Sequence, residues 1–308
     1  MSKPFPRRQF LTAVGAGAVA AAIPQSSGVT APLQSGEARG STPSSGNKSR
    51  LFAGCCAYSF AKYLTSGRMT MEDFILKGVE LGVHGVDITT YWLKSTEPGY
   101  LAGLRHFAYK NGMPFSGAAI RSNMCQPDAA KRAEELAHIQ RWVDATELLG
   151  AAHLRVFGGE VPPGASEEHG IQWVAEVMKP ACEYAAKKGI ILGIESHGGI
   201  TSKASSLIEI VRRVDSPYAG INLDISHFNE NPYSQIEACV PYATHAHIHE
   251  YYGQRKEPLD LDRVWQVFAQ GGYKGYMSVE YEEEEDAMTG VPKLVAKIKT
   301  LCQKYSSA

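Results

Sequence analysis

The sequence predicts a single (β/α)8 barrel, and three observations carry that prediction. From Leu51 onward short apolar runs alternate with longer helical patterns, and no stretch shows several strands in succession. Eight such runs can be counted, enough to close a parallel barrel. Glu195, Asp224, His247 and Glu280 stand near the C-terminal ends of the last four runs, about one strand-plus-helix length apart, where the strands of a barrel converge on one face. A doubly wound open sheet is the competing architecture. No GxGxxG follows the first run, however, and the polar residues cluster on the late runs.

The strand-like runs are 52–58, 82–88, 114–120, 152–157, 190–195, 219–225, 244–249 and 276–281. Between them, helical periodicity covers 71–81, 128–149, 171–188, 205–214, 261–270 and 291–305. Gly82, Gly112, Gly150 and Gly189 each follow a helix closely, where a left-handed residue ends it.

The barrel is expected over residues 50–308, preceded by an export signal and disordered linker over 1–49. Arg7-Arg8-Gln9-Phe10-Leu11 and the Gly/Ala-rich apolar stretch to Ile23 resemble a twin-arginine leader, with processing after Ala20, Ala22 or Ala31. The expected destination is the periplasm, with the twin-arginine translocation machinery as a partner. Residues 25–49 are rich in Ser, Gly, Pro and Thr and bury too little apolar surface to offset the entropy of ordering. No segment reads as a membrane span.

A chain of 308 residues, 44% hydrophobic and 20% charged, suits one barrel with a modest extension. Its net charge of −1 provides no basic field for sequence-independent nucleic-acid binding, so small substrates are favoured. Six cysteines show neither a CxxC pair nor the spacing of a disulfide scaffold, and they read as buried thiols.

Strand alternation puts the polar residues on one face. His245, His247 and His249 share a parity against Ala246 and Ile248. Ser278 and Glu280 share one against Met277 and Val279, and His153, Arg155 and Phe157 against Leu154 and Val156. Three carboxylates at one mouth repel one another unless a cation or protons compensate. Oxygen-rich ligation with one imidazole suits one divalent metal ion, Mn²⁺ first, with Mg²⁺, Co²⁺ or Zn²⁺ also compatible.

The segments ILGIESHGG, INLDISHF, HAHIHE and GYKGYMSVEYE, in that order and spacing, resemble the sugar phosphate isomerase/epimerase superfamily of xylose-isomerase-like barrels. GVHGVDI and LRVFGG add weaker support, and the likeness runs from about Leu51 to the end. The resemblance implies that Glu195, Asp224, His247 and Glu280 ligate the metal, with Glu195 and Glu280 also acting as the acid/base pair. It implies His227 as a substrate or outer-sphere residue. His247 with Glu250 fits the family's strand-seven pattern, but His249 shares the parity and Arg255 lies six residues beyond it, so the choice of imidazole stays open. His249 and Arg255 are then substrate contacts, as is His197 in its glycine-rich turn. Arg155 serves a substrate oxygen or neutralises a nearby acid. The acidic run 282–286 reads as a solvated loop.

The implied activity is a metal-dependent sugar isomerase or epimerase acting through an enediolate on an unphosphorylated carbohydrate. Elimination from a 3-keto-glycoside, by a lyase or hydratase, is the alternative on the same site. A noncatalytic sugar-binding barrel would have little use for three converging carboxylates, and an endonuclease-IV-like nuclease would need more metal ligands and a basic surface.

Overall fold

Eight parallel strands close into a barrel in the computed structural model, which describes residues 48–307. They are β1 (Arg50–Cys56), β2 (Gly85–Thr89), β3 (Phe115–Ala119), β4 (His153–Val156), β5 (Ile191–Glu195), β6 (Ala219–Asp224), β7 (Ala243–Ile248) and β10 (Lys274–Val279). Their order around the barrel is β1-β10-β7-β6-β5-β4-β3-β2, so each strand pairs with its neighbour in the repeat and the last pairs with the first. The fold is the predicted (β/α)8 barrel. The expected leader falls outside the described residues, as does the linker up to residue 47.

Eight helices follow the eight strands: α2 (Met71–Leu81), α3 (Pro98–Lys110), α4 (Ala129–Leu149), α5 (Glu167–Ala186), α6 (Ala204–Val214), α7 (Pro232–Cys239), α8 (Leu261–Gln270) and α9 (Ala287–Tyr305). A short extra helix, α1 (Ala61–Thr65), precedes α2. Local chemistry sets their ends. Thr70 and Asp73 form a reciprocal capping box at the start of α2, satisfying two backbone donors that the helix leaves free. Gly82, Gly112, Gly150 and Gly189 have φ of 63°, 69°, 77° and 67°, the left-handed conformation expected of helix-stop glycines.

Two helix starts lie four residues ahead of their periodic patterns. Ser166 caps α5 at His169 N, with Glu167 and Glu168 in the first turn, and Asp286 caps α9 at Met288 N. These caps recruit residues that carry no apolar periodicity. A two-stranded antiparallel hairpin, β8 (Tyr251–Tyr252) with β9 (Glu257–Pro258), follows β7 and is too short for alternation to announce it.

Alternation divides the barrel as anticipated. Leu192, Ile194, Ala246, Ile248, Met277 and Val279 are fully buried, in one core with Trp265 and Phe268 of α8 and Phe74 of α2. The opposite face of the strands carries a polar interior instead of the usual branched aliphatic layers. Gly193 makes room for it, since a Cβ there would lie 2.3 Å from His153 Nε2.

The start of β1 and the end of α9 are tied at the bottom of the barrel. Ser49 is buried, donates Oγ to the Tyr305 carbonyl at 2.7 Å, and accepts from Ser307 N at 3.1 Å. Ser49 therefore belongs to the packed unit. The six cysteines are free and buried. No helix among the described residues is long and apolar enough to cross a membrane.

Candidate metal centre

Glu195 and Asp224 are the last residues of β5 and β6, His247 is the next-to-last of β7, and Glu280 directly follows β10. Parallel strands end on one face, so these four meet at the C-terminal mouth. One potential ligand atom from each lies within 4.8 Å of those of the others, and all four residues are buried. A bulge on β7 sets the final alignment. Ile221 pairs with Ala243 but Asn222 with His245, so Thr244 is skipped and Asp224 comes opposite His247.

His247 is the hub. Its Nδ1 lies 2.9 Å from Glu195 Oε1 and 2.8 Å from Glu280 Oε2, while its Nε2 lies 3.0 Å from Asp87 Oδ2. Asp87 is on β2, which is not a neighbour of β7 in the sheet, so this contact crosses the barrel interior. The same carboxylate oxygen lies 3.3 Å from His245 Nε2. Asp87 is 3% exposed, and its second oxygen has no hydrogen-bond partner.

His249 flanks the cluster, with Nε2 at 3.2 Å from Asp224 Oδ2 and 3.6 Å from Glu280 Oε2. His227, partly exposed, reaches Asp224 Oδ2 at 3.5 Å. His197 sits between Phe157 and His227, with ring centroids 4.5 Å and 4.4 Å away. Arg155 is buried, with Nε 3.5 Å from Glu195 Oε2, Nη1 donating to the Ile120 carbonyl at 3.1 Å, and its guanidinium 4.0 Å from the Phe157 ring centroid. That placement fits neutralisation of an acid, the second role anticipated for it. Arg255 stands exposed in the turn of the hairpin, and its neighbours Gln254 and Lys256, rather than Arg255, line the mouth.

The electrostatics call for positive charge. Burial alone would lower the pKa of His247, but the charge of Glu280, with hydrogen bonds to Asp87 and Glu195, outweighs it and holds the imidazole well above its ordinary value. His249 is raised well above normal in the same way, against burial, by Asp224 and Glu280. Reciprocally, Asp87, Asp224 and Glu280 are held below the usual carboxylate range, burial notwithstanding, by these imidazoles, with His245 acting on Asp87 and His227 on Asp224. Such a site draws protons in the absence of other cations. A divalent ion meets the same demand, and three carboxylates with one imidazole are a fitting donor set for it.

Three residues around the cluster had not been singled out as site residues. Asn222 Nδ2 donates to Glu195 Oε1 at 2.8 Å, Cys56 Sγ lies 3.7 Å from Glu280 Oε1, and Asp87 anchors His247. A usable signal existed for two of them: Asn222 shares its parity with Asp224, and Asp87 is a polar residue between Val86 and Ile88. Burial, then the charges of Asp87 and Glu280, push the Cys56 thiol up, so it is a neutral neighbour and no nucleophile.

Above the cluster opens a polar cavity of about 510 Å³, lined by His197, His227, His249, Lys256, Glu160 and Glu282 among others. The acidic run is the exposed loop expected, with Glu282 also lining the mouth and Asp286 capping α9. A cavity of about 660 Å³, lined by residues of α3 and the end of α4 among others, contains none of the buried acids.

Over 151 residues the chain is 28% identical to an uncharacterized protein of Methanocaldococcus jannaschii, a match that spans 42% of this chain and about half, 52%, of that relative. The fold superimposes on 3-keto-D-glucoside 4-epimerase from E. coli at a TM-score of 0.66 and 16% identity, over 82% of this chain and 100% of the other. It superimposes on D-psicose 3-epimerase at a TM-score of 0.64 and 18% identity, over 82% and 94% of the two chains. At these identities the likeness concerns the fold. Residues 76–301 match the xylose isomerase-like TIM barrel family, and the chain belongs to it.

Proposed function

We propose that this protein is a divalent-metal-dependent sugar isomerase or epimerase acting on an unphosphorylated carbohydrate. The observation that carries the reading is the buried convergence of Glu195, Asp224, His247 and Glu280 beneath a polar cavity. The sugar epimerases among the structural neighbours agree with it.

Glu195, Asp224, His247 and Glu280 would hold the ion, which when bound polarises a substrate carbonyl and lowers the cost of removing the adjacent carbon-bound proton. The chain supplies the rest. Glu195 and Glu280 come from strands on different sides of His247 and are the pair suited to take a proton and return it. Asn222 holds one oxygen of Glu195 by a hydrogen bond, and the Arg155 guanidinium forms an ion pair with the other. Cys56 and His249 similarly contact both oxygens of Glu280. His197, His227 and His249 offer ring nitrogens around the cavity for sugar hydroxyls.

The test is a screen of ketoses, aldoses and 3-keto-glycosides in deuterated water, with metal-stripped protein and with Mn²⁺, Co²⁺, Mg²⁺ or Zn²⁺ added. Metal-dependent incorporation of deuterium beside the carbonyl, with an isomer or epimer as product, is expected. An unsaturated product from a 3-keto-glycoside would assign the site to elimination. Turnover indifferent to metal would sink the reading.

A further inference from the structure

The polar cavity above the buried acids has a second chamber beside it on this face. The other, about 570 Å³, opens past the ends of β1, β2 and β3 and is walled by Tyr58, Tyr91, Trp92 and Trp142, with Thr65 and Arg121 also lining it. A hollow of about 240 Å³ lies between them: Tyr58 borders it and the aromatic chamber, while Glu282 and Glu283 border it and the polar one. The aromatic chamber is also tied directly to the cluster. Tyr58 N donates at 3.4 Å to Cys56 Sγ, the sulfur that lies 3.7 Å from Glu280 Oε1. Ile120, another lining residue, accepts from Arg155 Nη1 at 3.1 Å.

The aromatic walls brace one another. The Trp92 ring lies 5.7 Å from both Tyr58 and Tyr91, and its Nε1 donates to Thr65 Oγ1 at 3.0 Å. The Arg121 guanidinium sits 4.4 Å from the Tyr91 ring centroid. All four aromatic residues are only partly buried, so ring surface stays open to the aromatic chamber. Held rings with open faces lose little entropy on binding and gain most from a flat, apolar partner. A pyranose ring has such faces in its C–H groups and carries hydroxyls at its edge, where the guanidinium of Arg121 can donate.

The geometry points to a subsite for a second pyranose ring, which makes the substrate class a glycoside: the reacting sugar occupies the polar chamber, and the sugar joined to it rests against Trp142 and Tyr91. This rests on the carbohydrate reading above. A single ring can fill only one of the two chambers, whereas in a glycoside the second ring has a path past Glu282 and Tyr58 toward the aromatic one.

The Mn²⁺-loaded protein is titrated calorimetrically with cellobiose, maltose and trehalose, and with glucose and methyl glucoside as single-ring controls. At least one disaccharide should bind about tenfold or more tighter than glucose and protect tryptophan fluorescence from acrylamide. Trp142→Ala and Tyr91→Ala should each remove that advantage while leaving glucose affinity within about twofold, since neither touches the metal cluster. The protection measured on the unsubstituted protein stands in should a variant fail to fold. No binding by any of the three disaccharides, affinities no better than glucose, or an advantage that survives both substitutions overturns the subsite. The carbohydrate chemistry fails separately: a tryptophan-dependent disaccharide advantage without solvent exchange keeps the subsite and removes the epimerase.

Discussion

Asp87 Oδ2 lies 3.0 Å from His247 Nε2 across the barrel, joining β2 to β7 through the polar interior. An ionised carboxylate only accepts, so Nε2 keeps its proton toward Asp87, and Nδ1, which faces Glu195 and Glu280, is the nitrogen that gives up its proton when a cation binds there. The tautomer that suits metal ligation is therefore set from the opposite side of the barrel.

Asp87→Ala is expected to weaken Mn²⁺ binding by about 10- to 100-fold, and Asp87→Asn, which keeps an acceptor but loses the charge, by less. Electron paramagnetic resonance of free and bound Mn²⁺ measures both. Equal affinity in all three proteins removes Asp87 from this role.

The imidazole shifts predict a pH-dependent response to metal. His247 and His249 are raised in the folded state, so the stability they contribute is complete below their unfolded pKa of about 6.5 and is lost as pH rises through their folded values. Asp87, Asp224 and Glu280 are depressed, so their contribution is complete above an unfolded pKa of about 4 and is lost as pH falls through the folded values. Metal-free protein should then be most stable between about pH 5 and 6.5. A ligating imidazole must be neutral, so the gain in Tm on adding Mn²⁺ should be larger at pH 8 than at pH 5.5. A gain independent of pH contradicts His247 as ligand.

Glu280→Gln keeps volume and one coordinating oxygen but removes basicity. Activity and solvent exchange should fall by about 10²-fold or more while metal content falls much less. Unchanged turnover would take Glu280 out of the mechanism.

One metal per chain is expected, because every group of potential ligands found among the described residues shares His247. Elemental analysis of protein purified without chelator should give a ratio near one. A reproducible ratio near three would favour a multinuclear, nuclease-like centre.

A chain beginning at Lys48 should fold cooperatively, since it retains the Ser49 contacts to Tyr305 and Ser307 that tie β1 to α9. The export proposal is tested separately with a reporter fused to the leader. Retention in the cytoplasm, or indifference to Arg7→Lys with Arg8→Lys, excludes it.

From sequence alone came the barrel, its eight strands, the helix stops at Gly82, Gly112, Gly150 and Gly189, and the four residues at the strand ends. These are local properties: side-chain period distinguishes strand from helix, left-handed backbone favours glycine, and parity says which face a residue takes. Tertiary structure alone decided how those faces meet. The Asp87–His247 contact and the alignment of Asp224 with His247 depend on which strands oppose one another and on the skipped Thr244 in β7. So does the placing of Lys256 rather than Arg255 at the mouth, which follows from a hairpin of two-residue strands. Strand stagger, a bulge and a short hairpin are set by barrel closure and packing, and no local periodicity encodes them.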